Sequence, residues 1–451
     1  MTAAVLSALA VAGPPDDRAV AWRGDSVLTW ARFRADVGFA AAGLAARGCR
    51  RGALVCRDSY WFAVGLFALL AEGVSAVLPP NAQPGTLGAL AGDCDTLVTD
   101  IAGLPGAMAL EHGEGEWRTP LAAAACRLEF HTSGSTGRPK RIFRTLAELE
   151  GEVAALDRVW GTMVEGAPVV ATVPHHHVYG LVFKLLWPLA SGRPFACRVH
   201  DLWEGLLADS PPDAVVVSSP AHLTRLGGLG PLRPETRPRM LLSAGAPLPA
   251  EAAAEAWRVL GVPVDEVYGS TETGALATRR REEAASPWIP LPGNRIGRTG
   301  DGRLVVRSPY VADGNAVELA DRVEIGADGG FHLLGRADRV AKIEGKRIGL
   351  DEVERALGAL PQVADAAVIV LAGERDVLAA VVAPTPLGRA ELAHMGAFRF
   401  GRHLRRALAA TQEPAGLPRR WRFVDAVPAG SMGKRPASVL AALFAEDAHG
   451  R

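Results

Sequence analysis

The stretch HTSGSTGRPKR, residues 131–141, sets Thr132, Ser133, Ser135 and Thr136 around Gly134 and Gly137, then closes with Arg138, Lys140 and Arg141. Glycine lets backbone N–H groups turn toward one point, hydroxyls donate hydrogen bonds, and a lysine adds positive charge. Together these are the parts of a polyphosphate cradle. The loop is not of the G-x-x-x-x-G-K-[ST] type, which occurs nowhere in the chain. A second stretch, VYGSTETG (267–274), follows an apolar run. It offers Tyr268 as a ring to stack on a base, Thr271 as a donor to phosphate and Glu272 as a hard oxygen ligand suited to Mg2+. A third, PHHHVYGL (174–181), carries three histidines in a row. Consecutive side chains on a strand alternate between faces, so the three cannot converge on one metal.

Lysine is scarce: only Lys140, Lys184, Lys342, Lys346 and Lys434 occur among 49 basic residues, the other 44 being arginine. A lysine in such a chain marks places where a compact, flexible point charge is wanted. Lys434 lies in AGSMGKR, a glycine-flanked loop near the C-terminus.

The elements that must position these groups read as α/β. Residues 18–110 alternate Ala/Leu-rich helical stretches with short strands such as GALVCRD and DTLVTD. PVVATVPHHH, DAVVVSSP, RPRMLLSAG and VPVDEVYGS are apolar runs ending in polar or glycine-bearing loops. They predict buried parallel strands, whose C-terminal ends are where α/β proteins bind ligands. From about residue 290 the turn-rich GNRIGRTGDGRLVVRS and GADGGFHLLGR predict a small antiparallel unit. LDEVERALGAL predicts a helix, VADAAVIVLAGERDVLAAVVAP two strands across a turn, and SVLAALFAEDAHGR a frayed terminal helix. Residues 338–451 therefore form a compact α+β module after a larger body, 1–337.

At 451 residues the chain has ample core for two or three domains. Its 49 basic and 49 acidic residues balance, which argues against nucleic acid or an anionic membrane as partner. Cys49, Cys56, Cys94, Cys126 and Cys197 form no C-x-x-C pair and fit reduced thiols in a cytoplasmic protein. WFAVGLFALLAEGVSAVL is broken by Glu72 and predicts a buried helix and strand rather than a membrane span.

HTSGSTGRPK, SAGAPL (243–248), YGSTETG (268–274), Asp321, GRADRV (335–340), KIEGKRIGLDEVE (342–354) and GSMGKR (430–435) occur in that order. Their order and spacing resemble those of the adenylate-forming superfamily of acyl-CoA synthetases, peptide-synthetase adenylation domains and luciferases. The likeness covers about residues 18–440. It implies a large α/β domain of helix-flanked sheets with a small β unit, and a small mobile C-terminal domain. The activity it implies is ATP-dependent conversion of a carboxylic acid to acyl-AMP, with pyrophosphate released, followed by acyl transfer to a pantetheine thiol. ATP and Mg2+ are the implied cofactors. CoA is the leading acceptor, and the phosphopantetheine of an acyl carrier protein the alternative; a non-catalytic nucleotide-binding module is a third, remoter reading.

The resemblance also assigns roles. Residues 132–140 match the holder of the β- and γ-phosphates. Gly245, Ala246, Pro247, Tyr268 and Gly269 match the adenine slot, Thr271 the α-phosphate contact and Glu272 the Mg2+ ligand. Asp321 and Arg336 match the ribose contacts. Lys434 matches the lysine that bridges the carboxylate and the α-phosphate, and Asp338 the hinge. The strand around Gly345 faces the thiol acceptor, with Lys342 and Lys346 near it. His177, Tyr179, Gly180, Ser219 and Gly269 match the acyl pocket. No acidic residue lies in 174–181 to pair with an ammonium, and Gly269 stands where acetate-specific relatives carry tryptophan. The expected acid is therefore no amino acid and larger than acetate: aryl or medium-chain acyl. Four positions depart from the family pattern: Arg141 replaces a glycine, Leu319–Ala320 a Thr-Gly pair, and Leu350 a proline.

Overall fold

The structure is a computed structural model that describes residues 4–132, 140–283, 286–311, 314–343, 346–373, 376–429 and 435–445. No helix among them is long and apolar enough to cross a membrane. The chain divides into two compact units. The first holds the described residues up to Arg295 together with 307–311 and 314–316; the second holds 296–306 and the described residues from Val317 onward. The small antiparallel sheet thus clusters with the C-terminal residues.

The four apolar runs that end in polar loops are strands, and they are parallel neighbours. Val264–Ser270, Met240–Ala244, Val215–Ser218 and Val169–Ala171 lie side by side in a nine-stranded sheet. Their loops therefore leave the sheet at one edge. One in-register residue from each strand, Val170, Val216, Leu241 and Val264, packs in one cluster with Ala252, Ala256, Val259 and Leu260 of the helix Ala250–Leu260. That helix stops at Gly261, whose φ of +77° is the left-handed geometry that glycine adopts without a Cβ penalty. A six-stranded sheet of the same unit contains Arg51–Val55, Ser75–Leu78, Arg127–Thr132 and Lys140–Thr145. WFAVGLFALLA lies in the helix Ser59–Ala71, capped by Asp58, whose carboxylate accepts from the Tyr60 and Trp61 N–H groups. Every position from Ser59 to Leu70 is buried, as a helix apolar on all sides requires.

In the second unit, Arg295–Arg298, Arg303–Arg307, Val317–Ile325 and Phe331–Arg336 form the small sheet. A three-stranded sheet of Val363–Leu371, Val377–Pro384 and Arg420–Phe423 follows. Period-two alternation assigns its two faces. Ala366, Val368, Ala380 and Val382 meet Val353, Leu357, Phe400 and Leu404 on one side. Ala367, Ile369, Ala379 and Val381 meet Leu440 and Phe444 on the other. The terminal helix, Ala437–Ala445, is accordingly packed rather than frayed: Leu440 and Phe444 cover a sheet face that would otherwise meet water. Removing the Phe444 ring (Phe444→Ala) is expected to cost ~3–5 kcal/mol in a denaturant titration, the usual penalty for a buried aromatic.

Candidate active site

The strands Arg127–Thr132 and Lys140–Thr145 pair antiparallel and bring Thr132 opposite Lys140, the base on either side of the stretch proposed to bind phosphate. Ser133, Gly134, Ser135, Thr136 and Gly137 lie outside the described residues. Glu129, buried beneath this base, accepts from His131 Nε2 at 2.9 Å and from Arg51 at 2.5 Å. Arg141 sits across the pair from His131, 3.5 Å from the same carboxylate, and forms a second ion pair with Asp93. The arginine that departs from the family pattern thus ties the loop's return strand to two carboxylates. Half-exposed pairs of this kind contribute ~0.2–1 kcal/mol. Arg141→Gly is expected to raise the KM for ATP about two- to five-fold with kcat held, in ATP–pyrophosphate exchange.

Lys140 Nζ reaches Glu272 Oε1 at 2.8 Å, so two loops far apart in sequence meet. Partial burial opposes ionisation of Glu272, but the Lys140 ammonium and local hydrogen bonds hold its carboxyl below the ordinary range. Thr271 and Glu272 occupy the turn between Val264–Ser270 and Gly274–Arg280, which is fixed from inside. Thr273, fully buried, accepts from the Ser270 N–H at 3.1 Å. Arg144 donates to the Thr271 carbonyl at 3.4 Å, and Glu152 accepts from the Ala275 N–H at 2.9 Å. Gly274 has φ +65°, and a Cβ there would stand 2.2 Å from Glu152 Oε2, so only glycine fits.

The register Ala244↔Val267 carries Gly245 to the level of Tyr268, with Ala246 and Pro247 next in the chain. Gly245 has φ +99°, which lets the chain turn at the strand end. The Tyr268 ring packs on Trp288 with centroids 5.6 Å apart, and the Arg279 guanidinium covers the far ring at 4.4 Å. Gly269 has a local reason to be glycine: a Cβ would lie 2.0 Å from the Gly274 carbonyl, at the register shift after Tyr268. Backbone approach alone accounts for that residue, whatever the size of the acid.

The three histidines have three different fates. His175 is buried, with Nε2 2.9 Å from the Cys56 carbonyl and Nδ1 2.9 Å from Ser59 Oγ. A carbonyl only accepts, so Nε2 carries the proton and Nδ1 receives the Ser59 hydroxyl. The His175–His176 rings stand edge-on at 6.1 Å, and His176 and His177 lie 4.6 Å apart. His177 ends the extended segment and leads into the helix that carries Tyr179 and Gly180. The Tyr179 ring packs on Phe183 at 4.9 Å; its hydroxyl is buried with no partner among the described residues. A Cβ on Gly180 would meet the Pro174 carbonyl at 2.1 Å. Ser219 is fully buried, its hydroxyl 3.2 Å from His222 Nδ1.

Lys184, on the same helical segment, is completely buried and donates to Ser59 Oγ and to the Arg198 carbonyl at 2.9 Å. Burial lowers its ammonium from 10.5 to about 7. Between those values the unfolded chain holds a proton that the folded protein lacks, so stability rises with pH across that window. Below it both forms are charged and the full burial cost remains. The slope should reach ~1.4 kcal/mol per pH unit and vanish in Lys184→Met, read by urea melts from pH 7 to 10.

In the second unit, Asp321 and Arg336 are cross-strand partners, 3.7 Å apart. Arg336 also binds both oxygens of Asp338, at 2.8 and 2.5 Å, which depresses the Asp338 pKa. The two ribose candidates and the hinge candidate thus form one ionic cluster. Asp351 accepts from the Arg336 N–H at 2.9 Å, and Arg339 spans Asp351 and Glu354. Gly345 and Lys434 lie outside the described residues, but Arg435 next to Lys434 clamps Asp365 at 2.7 and 2.9 Å and donates to the Ala366 carbonyl.

Residues 97–314 match the family model of AMP-binding enzymes. A 4-coumarate–CoA ligase of Rhodobacter capsulatus is 30% identical over 308 residues, covering 68% of this chain and 73% of that protein. A probable 2-succinylbenzoate–CoA ligase of Mycobacterium tuberculosis is 28% identical over 353 residues, 70% of this chain and 84% of the relative. The chain belongs to the AMP-binding enzyme family. ATP-bound MatB from Rhodopseudomonas palustris shares the fold of this AMP-binding enzyme, with a TM-score of 0.79, 21% identity, and coverage of 98% and 99% of the two chains.

Sequence reasoning missed the internal support of this AMP-binding enzyme: Arg144, Glu152, Glu129, Asp351 and Arg435. Each is one charged residue amid many, and no local pattern marks it as buried or paired. No cluster of three metal-ligating side chains occurs among the described residues. Glu272 suits a Mg2+ ion all the same, because that ion is commonly held by one or two carboxylates with phosphate oxygens and water completing its shell.

Proposed function

We propose that this enzyme adenylates a carboxylic acid and passes the acyl group to the pantetheine thiol of CoA. The observation that carries the reading is the Lys140–Glu272 contact, which joins the phosphate loop to the turn after Tyr268. On arrival of ATP, Lys140 exchanges the Glu272 carboxylate for the β,γ-phosphates. Glu272, thereby released, would hold Mg2+, whose charge would offset that of the phosphates. Tyr268, Gly245, Ala246 and Pro247 line the adenine, and Thr271 donates to the α-phosphate. Asp321 and Arg336 hold the ribose hydroxyls.

The carboxylate oxygen then attacks the α-phosphorus, and the bond to the β-phosphate breaks with release of pyrophosphate. Two anions must approach in a poorly screened site, and Lys434 placed between them removes that repulsion. Residues 338–451 next turn about Asp338, withdrawing Lys434 and bringing the strand around Gly345 to the acyl-adenylate. The thiol sulfur attacks the acyl carbon, its proton passes to solvent, and AMP leaves with the electron pair of the broken anhydride bond.

An aryl acid is the favoured substrate, held near His177, Tyr179, Gly180, Ser219 and Gly269. Relatives named for 4-coumarate and 2-succinylbenzoate support that choice, as does the Tyr179–Phe183 ring pair. ATP–pyrophosphate exchange with aryl and medium-chain acids tests the reading. Exchange with an aryl acid is expected, and exchange with no acid would leave a nucleotide-binding module instead.

A further inference from the structure

Tyr268 belongs to a row of side chains that crosses three antiparallel strands, Val264–Ser270, Gly274–Arg280 and Ile289–Pro290. Glu266 lies opposite Arg279, Tyr268 opposite Ala277, and Thr278 opposite Ile289. Residues two apart on a strand share a face, so Glu266 and Tyr268 lie on one face with Ala277 and Arg279. Across the ladder Tyr268 meets only the methyl group of Ala277, and the ring that packs on it comes from Trp288, just before the third strand. Trp288 is 5% exposed, whereas Tyr268 is half-buried. The Arg279 guanidinium over the Trp288 ring is itself held. Its Nε donates to Glu266 Oε2 at 2.8 Å, and Arg281 stands 3.3 Å from the same oxygen. Glu266 is buried, and a carboxylate away from water keeps its cation partners in place.

We propose that Trp288 and Arg279 are positioning residues for ATP: they hold the Tyr268 ring in the orientation that meets the adenine. This deepens the ligase reading and rests on its placement of the adenine at Tyr268. A tyrosine side chain turns about two bonds, and a ring left to turn would lose that freedom only when the base arrives, which weakens binding. Trp288 removes the freedom beforehand, because the indole occupies the space into which the ring would swing. The indole is braced in turn. Moving it would uncover a guanidinium that attracts its π face and that a buried carboxylate already fixes. Glu266 sits two residues before Tyr268 on the same strand, so the backbone of the tyrosine and the brace behind its ring share one frame. Neither Trp288 nor Arg279 falls in a motif that carries chemistry, and only the three-strand register brings them to the adenine slot.

The test uses the full chain, with the Kd for ATP read by calorimetry and the KM values for ATP and for the acid read by pyrophosphate exchange. Trp288→Leu should raise both the Kd and the KM for ATP about five- to ten-fold, leaving kcat and the KM for the acid within two-fold. Inhibition by inorganic tripolyphosphate, an anion of the same kind without a base, should not change. Trp288→Phe, which keeps a ring, should stay within two-fold of the wild type. Arg279→Lys keeps the charge on Glu266 and loses the planar cover, and should raise the Kd about two- to three-fold; it tests the brace even where the leucine variant folds poorly. In a Tyr268→Leu background, adding Trp288→Leu should weaken ATP binding no further, because the indole acts through the tyrosine.

Wild-type ATP affinity in both Trp288→Leu and Arg279→Lys would overturn the proposal. So would a loss that persists in full in the Tyr268→Leu background, which would make Trp288 an ordinary core residue. Equal weakening of tripolyphosphate would assign Trp288 to the shape of the Thr271–Glu272 turn, and would overturn the proposal too. Failure of the wild type to exchange pyrophosphate with any acid would sink the ligase reading itself. That outcome is separate, because the calorimetric Kd for ATP needs no turnover and still reads every variant.

Discussion

Replacing Lys434 by alanine is expected to lower ATP–pyrophosphate exchange by about 10²–10³-fold, ~3–4 kcal/mol of transition-state stabilisation, with the denaturation midpoint unchanged. The barrier is electrostatic. A carboxylate and an α-phosphate repel in a site where water is scarce, and a preorganised ammonium lowers that barrier only while the two groups are being joined. Its neighbour in the chain, Arg435, is fastened to Asp365 and to the Ala366 carbonyl of the strand Val363–Leu371. Transfer from pre-formed acyl-AMP to CoA should survive in the variant, because the role proposed for the lysine lies in the first half-reaction. Exchange at the wild-type rate in Lys434→Ala would remove this lysine from the chemistry. Lys434→Arg is expected to recover little, since a planar fork does not place its charge where a compact ammonium does.

The second large effect concerns stability and site together. Glu152 and Arg144 are both buried and lie 3.4 Å apart. Burial raises the Glu152 carboxyl while the Arg144 guanidinium opposes that rise, so each charge depends on the other. Glu152→Ala would leave Arg144 buried with one carboxylate fewer and the Ala275 N–H without its acceptor. The expected loss is ~3–5 kcal/mol in a urea titration, the usual cost of removing one partner of a buried pair. Exchange activity should fall as well, because Arg144 and Glu152 hold the two ends of the turn that carries Thr271 and Glu272. Glu152→Gln, which keeps an acceptor for the N–H and loses the charge, should fall between wild type and Glu152→Ala. An unchanged midpoint in Glu152→Ala would show that the pair is dispensable.

The regular elements were legible because they follow from local rules. Apolar runs ending in glycine or polar loops became the parallel strands of one sheet, and the turn-rich segment became the antiparallel sheet. The terminal helix was misread as frayed because its stability comes from Ala367, Ile369, Ala379 and Val381, which lie far away in sequence. At Gly269 a Cβ would meet the Gly274 carbonyl, five residues away but folded back across the strand pair, a local demand for glycine that no short stretch of sequence displays.

By itself, the sequence determined the motifs: a hydroxyl-rich phosphate loop, a Thr-Glu turn, an Asp/Arg pair and a late lysine, each set by short-range chemistry that residue type and spacing display. Tertiary structure alone decided which of them meet. Parallel strand packing put Gly245 beside Tyr268, strand pairing and the buried Arg144–Glu152 pair brought Glu272 to Lys140, and the small sheet set Asp321 against Arg336. The reason is physical. A charge's partner is fixed by strand register and by the need to compensate it away from water, and both are properties of the folded chain rather than of any stretch within it.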